Sequence, residues 1–283
     1  MIDSFLYFNE VDLFYLRLNY LDPHVDKFVI VETDTTFSLQ NHPAHFDRVY
    51  KYLPDHLKKK IVYDYLVIDK DALQFSGDVD GEDYKEKSRV VEVAMRDRLA
   101  DLIRAESKDD WVAMSDIDEI WDARYLNEAK HLVDQHGKMF WAQDFRSAFI
   151  DWRMIYGRWP GTKMTRVDIL PVPTTDFYPS KNKTWGHYGD AKLEAGWHFT
   201  MMGGQKTKQE QISAKREGPG WEKKLQKSAE QISQAMVENQ YNYVVKKKKM
   251  RVDKIPEDEG LDPSLFLIAK QYPDLWSGKL KPS

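Results

Sequence analysis

The chain has 283 residues, of which 42% are hydrophobic and 31% charged, and it carries nine Trp, 15 Tyr and 13 Phe. This is a globular composition, and the length allows one α/β domain with a helical appendage. The formal net charge of -4 creates no global field for nucleic acid, and the lack of cysteine excludes disulfides, thiolate zinc sites and cysteine nucleophiles. Because the N-terminal residues contain no basic region and no long apolar stretch, we expect a cytoplasmic protein without a signal peptide or membrane span.

Apolar residues recur at strand and helix spacing along most of the chain. In chain order, the pattern predicts a strand over 4–8, a helix over 10–21, strands over 27–32 and 61–68, a helix over 84–105, a strand over 111–114, a helix over 122–135, strands over 139–156, 162–170 and 195–200, and polar helices over 205–216 and 221–240. The strand, helix and strand at the start are typical of a parallel sheet. We therefore expect an α/β fold with a mostly parallel central sheet flanked by helices, followed by a helical C-terminal region.

The most informative stretch begins at Trp111, where an apolar strand leads directly into Asp116, Asp118 and Glu119. Side chains at i and i+2 share one face of an extended segment, and ligands of open α/β sheets collect beyond the carboxyl ends of the strands. The aspartate pair therefore suits a hard cation such as Mg²⁺ or Mn²⁺, which also takes water and substrate phosphates as ligands. Taken alone, the motif more often marks a solvated turn, since the chain has 46 acidic residues.

Four separated segments appear in an order and spacing that resemble glycosyltransferase family 17. They are Phe8 to Leu18, Val25 to Phe37, Ser115 to Ile120 and Gly196 to Phe199, within a resemblance that covers about residues 3–216. The resemblance implies a GT-A fold, with Rossmann-like nucleotide-binding and acceptor-binding halves continuous over residues 1–216. Residues 217–283 are then expected to be a helical extension packed on the same domain.

The family resemblance also implies an activity and its cofactor. The chain is expected to be an inverting glycosyltransferase that moves a sugar, N-acetylglucosamine in the best known members, from a UDP-sugar to an acceptor hydroxyl. A divalent ion, Mn²⁺ or Mg²⁺, is expected on the Asp-x-Asp motif. Such an ion bridges the diphosphate and stabilises the charge that develops on this leaving group.

The resemblance assigns Asp116, Asp118 and His198 to the metal, with Asp118 expected to coordinate it directly. The residues expected to contact the donor nucleotide sugar are Glu32, Thr33, Phe37, Arg89, Asp116, Glu119, Lys206 and Lys215. Several also have structural interpretations: His198 as a packed strand residue, Glu119 as a carboxylate at a helix N-terminus, Arg89 as part of a helical ion pair. The default interpretation of the two lysines is a solvated helix face.

The general base of an inverting transferase is a carboxylate within hydrogen-bond reach of the acceptor hydroxyl. Asp144, Asp151 and Glu194 are alternative candidates, and each is also consistent with a surface carboxylate. Four aromatic residues belong either to an acceptor platform or to the core: Trp141, Trp152, Tyr156 and Trp159.

The chain departs from the animal members of the family, which are anchored in the Golgi membrane. Leu39 and Trp121 also stand where the family commonly has Gly and Pro. We therefore expect a glycan, a lipid-linked sugar or a protein as the acceptor, with modified DNA as a minor option.

Two other classes of function remain open. A DNA- or glycan-binding protein would use the lysine-rich run Lys246–Arg251. An Asp-x-Asp phosphatase would use the aspartates, although such phosphatases place the motif at the first strand.

Overall fold

The computed structural model describes residues 1–37, 39, 41–69, 82–155, 157–171, 191–203, 240–245 and 248–278. The helices expected over 205–216 and 221–240 lie outside these ranges, except for residue 240, which begins a strand. Lys206, Lys215 and Tyr156 lie outside them as well.

In the described part of the chain, strands and helices are interspersed up to residue 136, and the described elements from 138 to 254 are mainly strands. The strands are β1 (Ile2–Leu6), β2 (Lys27–Thr33), β3 (Ile61–Leu66), β4 (Trp111–Asp116), β5 (Glu119–Ile120), β6 (Lys138–Ser147), β7 (Trp152–Met154), β8 (Trp159–Arg166), β9 (Lys192–Leu193), β10 (Trp197–Thr200), β11 (Gln240–Val245) and β12 (Lys248–Lys254). The helices are α1 (Val11–Leu21), α2 (Phe46–Tyr50), α3 (Asp55–Lys58), α4 (Glu82–Glu106), α5 (Leu126–His136) and α6 (Pro263–Ala269). Within the ranges described, no helix has the length and apolar character needed to cross a membrane.

The central sheet has the strand order β11-β12-β7-β6-β8-β4-β1-β2-β3. Strands β3, β2, β1 and β4 are parallel to one another, as the sequence predicts. From β4 outward, the pairs β4–β8, β8–β6, β6–β7 and β7–β12 are antiparallel, so the sheet is mixed rather than mostly parallel. Strand β10 lies off this path, parallel to β6 and antiparallel to β5.

Apolar clusters cover both faces of the parallel strands. Phe28 and Ile30 of β2 pack in one cluster with Phe14 of α1, whereas Val29 packs in a second cluster with Leu99 of α4. This division follows from the alternation of side chains along a strand. Because helices cover both faces, the carboxyl ends of the strands are where a ligand can approach this half of the sheet.

The described C-terminal residues form strands as well as a helix. Strands β11 and β12 pair antiparallel, and β12 joins the sheet edge at β7. Helix α6 packs against α1, and the Tyr272 hydroxyl that follows it lies 3.4 Å from Asn19 Nδ2. No strand is predicted here from the sequence, although Tyr241 and Tyr243 in β11 and Met250 and Val252 in β12 recur at the two-residue spacing of a strand.

Candidate functional site

A cavity of about 320 Å³ opens at the carboxyl ends of the parallel strands. Its walls include the aromatic side chains Phe8, Phe37, Phe145 and Trp159. Its polar side chains include three carboxylates and one imidazole, those of Glu10, Asp116, Asp118 and His198. The strand that ends at Asp116 and the turn that follows therefore place both motif aspartates in one cavity.

A buried arginine of α1 supports the turn that carries the two aspartates. The Arg17 guanidinium donates to the main-chain oxygens of Asp116, Ile117 and Glu119 at 3.0 to 3.2 Å. It also donates to both carboxylate oxygens of Asp3 at 2.8 Å. The buried carbonyls of the turn thereby have a donor, although the Glu119 oxygen also accepts from the Thr162 hydroxyl at 2.8 Å, and the turn has a fixed conformation.

Asp116 is held by an arginine of the long helix. Arg96 Nη2 donates to Asp116 Oδ1 at 2.7 Å, while Arg96 also pairs with Glu92 at 3.2 Å. Desolvation raises the pKa of Asp116, but the Arg96 guanidinium outweighs it and holds that pKa below its ordinary value. Asp116 is therefore an ionised carboxylate with 52% of its side chain exposed.

Strand β10 brings His198 to the second aspartate. His198 Nε2 lies 3.3 Å from Asp118 Oδ2, and the Phe199 amide donates to the Asp118 carbonyl at 2.7 Å. Burial lowers the pKa of His198, but attraction to Asp118 and the neighbouring carboxylates Glu119 and Asp116 raises it overall. His198 Nδ1 is buried and has no hydrogen-bond partner among the residues that the structure describes.

The side chains of Asp116, Asp118 and His198 include ligand types that a divalent cation accepts. Two carboxylates and an imidazole are ligands that Mn²⁺ accepts, and Asp118 with His198 already lie at ligand spacing. In addition, the described protein atoms leave the hydrogen-bonding capacity of His198 Nδ1 unsatisfied.

Glu119 lies beneath the site rather than at a helix N-terminus. It belongs to β5, so its interpretation as a helix-terminal carboxylate is wrong. Glu119 Oε1 accepts from the Trp159 indole nitrogen at 2.7 Å, and the Trp159 ring lies 4.5 Å from that of His198. Burial and the charge of Asp116 raise the pKa of Glu119. Its geometry suits it to positioning the Trp159 wall of the cavity.

The residues expected to bind the donor divide into two groups. Thr33 and Phe37 line the cavity, as Asp116 does. Arg89 donates to Glu92 at 3.1 Å within its own helix, in agreement with its structural interpretation. Sequence reasoning missed Arg96, the arginine that contacts Asp116, because both arginines fall at plausible positions of one amphipathic helix.

Glu32 is fully buried and does not line the cavity. Its carboxylate accepts from the His45 amide at 2.7 Å, the Phe46 amide at 3.1 Å and the Tyr63 hydroxyl at 2.8 Å, and it lies 3.1 Å from His42 Nε2. The structure therefore places Glu32 behind the cavity wall, against the loop that follows β2.

None of the three candidate bases lines the cavity. The Asp144 side chain lies on the opposite face of the strand from that of its neighbour Phe145, which lines the cavity. Asp144 pairs with Arg146 at 2.9 Å and lines a separate cleft of about 860 Å³. Glu194 lines that same cleft and pairs with Lys192 at 2.9 Å.

Asp151 is buried away from both cavities. Its carboxylate accepts from the Ser277 amide at 3.0 Å and from the Ser277 hydroxyl. Of the aromatic candidates, Trp141 and Trp152 are buried core residues and Trp159 is a cavity wall.

Glu10 is a cavity carboxylate that sequence reasoning placed in the first helical turn. The structure puts Glu10 at the N-cap position of α1, and its Oε2 accepts from the amides of Phe8 and Asn9 at 3.1 and 3.0 Å. Burial, with a contribution from Asp118, raises the pKa of Glu10 to about 7. A carboxylate two residues after the apolar stretch 4–8 was the signal available in the sequence.

Comparisons with known proteins add a family match and remote structural likenesses. The model of a family described as glycosyltransferase family 17 matches residues 1–155. Comparison with curated proteins gave no match.

A crystal structure of residues 1–349 of S. aureus TarS is similar at 15% identity, with 60% of this chain and 47% of that chain covered and a TM-score of 0.32. The galactosyltransferase LgtC, in complex with donor and acceptor sugar analogues, is similar at 10% identity, with 59% and 58% covered and a TM-score of 0.32. The chain spans about half the length of these solved proteins.

Proposed function

Because the chain belongs to glycosyltransferase family 17 and folds as an α/β protein with a mixed sheet, we propose that it has the GT-A architecture and transfers a sugar from a nucleotide diphosphate to an acceptor hydroxyl with inversion. The family expectation for the donor is UDP-N-acetylglucosamine. The observation that carries the proposal is the pairing of Asp118 with His198 beside Asp116, in a cavity at the strand ends. The acceptor in this proposal is a glycan, a lipid-linked sugar or a protein.

In this proposal Asp116, Asp118 and His198 hold Mn²⁺ or Mg²⁺. When bound, the ion supplies stabilisation of the negative charge on the leaving diphosphate. Arg96 keeps Asp116 ionised and oriented through its 2.7 Å hydrogen bond. Thr33 and Phe37, at the end of β2, are the proposed contacts of the nucleoside.

The proposed base is Glu10 rather than Asp144, Asp151 or Glu194. Beyond Asp116 and Asp118, Glu10 is the carboxylate among the described residues that lines the cavity. It would accept the hydroxyl proton as the acceptor oxygen bonds to the anomeric carbon and the nucleoside diphosphate leaves. Loss of at least about 100-fold in transfer rate is expected for Glu10→Gln, against little change for Glu194→Gln.

A thermal-shift screen of nucleotide sugars, with and without Mn²⁺, tests the donor and the metal together. We expect one UDP-sugar to stabilise the chain only with the metal, by about 2.7 kcal/mol at a concentration 100 times Kd. Asp118→Asn should abolish that stabilisation and lower transfer at least about 100-fold. Asp168→Asn, at an exposed carboxylate in the short 3-10 helix Val167–Ile169 after β8, is the matched control and should leave both unchanged. Absence of a metal-dependent response to every nucleotide sugar would contradict the proposal.

We do not propose either alternative function. The aspartates follow the fourth strand in chain order, unlike the first-strand motif of Asp-x-Asp phosphatases. For the binding-protein alternative, Lys246 and Lys247 lie outside the described residues, and no described contact favours nucleic acid.

A further inference from the structure

A second cluster of metal-ligand side chains lies behind the cavity wall. After β2 the chain turns back through Leu39, whose φ is 64°, and Thr35 bridges Asn41. The His42 amide then donates to the Asp34 carbonyl at 2.7 Å. This loop brings Glu32, His42 and His45 together, with one possible ligand atom from each within 4.8 Å of the others.

The hydrogen bonds of the two imidazoles define which nitrogens are available. His45 Nδ1 lies 3.2 Å from the Phe8 carbonyl oxygen, which can only accept, so Nδ1 carries the proton and Nε2 has a free lone pair. His42 Nε2 lies 3.1 Å from Glu32 Oε1. That separation is close to the roughly 3.3 Å between ligand atoms of a tetrahedral ion with bonds of about 2.0 Å. An ion entering here would displace one proton from His42 Nε2 and bind both atoms.

Surrounding groups already orient these side chains, as they do in known metal sites. The other carboxylate oxygen of Glu32 accepts from the Phe46 amide and the Tyr63 hydroxyl. The Phe8 ring stacks on His42 with ring centroids 4.2 Å apart.

We propose that Glu32, His42 and His45 bind a divalent transition metal, with water as a further ligand, at a site separate from Asp118. Two imidazoles and one carboxylate are a donor set typical of Zn²⁺, whereas Mg²⁺ prefers oxygen ligands alone. The bound ion would tie the end of β2 to the loop after it. Because Thr35, Thr36 and Phe37 of this loop line the cavity, the ion would fix one wall of the donor site.

The test uses the full chain with Asp118→Asn and His198→Gln, so that the proposed catalytic ion cannot bind and a failure of the proposed function does not affect the result. After treatment with a chelator, Zn²⁺ is titrated by calorimetry and Co²⁺ by visible absorption. We expect one tight ion per chain and a Co²⁺ spectrum of four-coordinate, nitrogen-ligated type. Adding His45→Gln removes a direct ligand and should weaken Zn²⁺ binding by more than the about 10- to 100-fold that loss of an outer-shell partner costs.

His56→Gln is the matched control, since His56 is exposed and pairs with Asp22 at the surface. It should leave Zn²⁺ affinity and the Co²⁺ spectrum unchanged. His42→Gln is the second variant, and circular dichroism establishes that each variant is folded. Absence of a tight ion in the starting protein, or equal affinity in folded His45→Gln and in the control, would overturn the proposal.

Discussion

Arg17 connects the first helix to the turn that carries the aspartates. It is a fully buried cation, and its guanidinium is matched by Asp3 and by three carbonyls of the turn. Trp121, which stands where the family commonly has Pro, also donates to Asp3 Oδ1 at 2.9 Å. A buried ion pair is weak evidence for stability, but removal of one partner leaves a charge that burial cannot solvate.

Arg17→Met is therefore expected to cost about 3 to 5 kcal/mol of unfolding free energy, because Asp3 and the turn carbonyls lose their donor. Urea denaturation measures this cost. Arg98→Met is the matched control, since Arg98 pairs with Asp64 at a partly exposed site and should cost less than about 1 kcal/mol. Equal losses in the two variants would show that the Arg17 network does not support the turn.

Strand β10 is the element that completes the site, and Gly196 permits its approach. Gly196 has a φ of +83°, and a Cβ there would lie 2.8 Å from the Ile120 carbonyl oxygen. Both observations favour glycine, because a side chain would strain the backbone and push β10 away from β5. Because β10 carries His198, a glycine at position 196 allows the strand to bring His198 close to Asp118.

Gly196→Ala is expected to destabilise the fold by about 1 to 3 kcal/mol and to weaken the stabilisation by Mn²⁺ with a nucleotide sugar. Thermal unfolding with and without these ligands measures both effects. Gly278→Ala is the matched control, since a Cβ there meets no atom within 4 Å. If Gly196→Ala behaves like this control, the close contact between β10 and β5 is not required for the site.

At the scale of the whole molecule, the sheet gathers several ionisable groups into one poorly solvated region. Glu10 and Lys163 carry opposite charges there, and burial acts on both: it raises the pKa of Glu10 to about 7 and lowers that of Lys163 to about 8. A carboxylate whose pKa is higher in the folded than in the unfolded state stabilises the fold at low pH. That contribution is lost as the pH rises through the folded-state value.

For the metal-free protein, Glu10 should therefore lower the unfolding free energy by about 1 kcal/mol or more between about pH 5.5 and about pH 8. In Glu10→Gln this loss of unfolding free energy with rising pH is absent. Lys163 is present in both proteins, so its opposite contribution cancels in the difference between their unfolding free energies. Urea denaturation across this pH range, with Glu194→Gln as an exposed control, measures the slopes. Identical slopes for wild type and Glu10→Gln would contradict the prediction.

The sequence by itself determined the order of the longer elements from β1 to β10 and the position of Asp116 and Asp118 at the end of a buried strand, but not the short strands β5 and β9 or the short helices α2 and α3. Both depend on local periodicity, which backbone geometry dictates within a few residues. The family was likewise evident from short motifs in a fixed order, and the family match confirms it. The strands β11 and β12 were not predicted, because their alternation covers only two apolar residues in each strand, Tyr241 and Tyr243 or Met250 and Val252, within a lysine-rich segment.

Only the tertiary structure decided which charged side chains share the cavity. Pairing of β10 with β5 brought His198 to Asp118, and the pitch of α4 selected Arg96 rather than Arg89 as the partner of Asp116. The expected donor residue Glu32 instead accepts hydrogen bonds from the loop after β2. The face on which each carboxylate lies depends on partners far away in the chain, and hydrophobic periodicity carries no information about those partners.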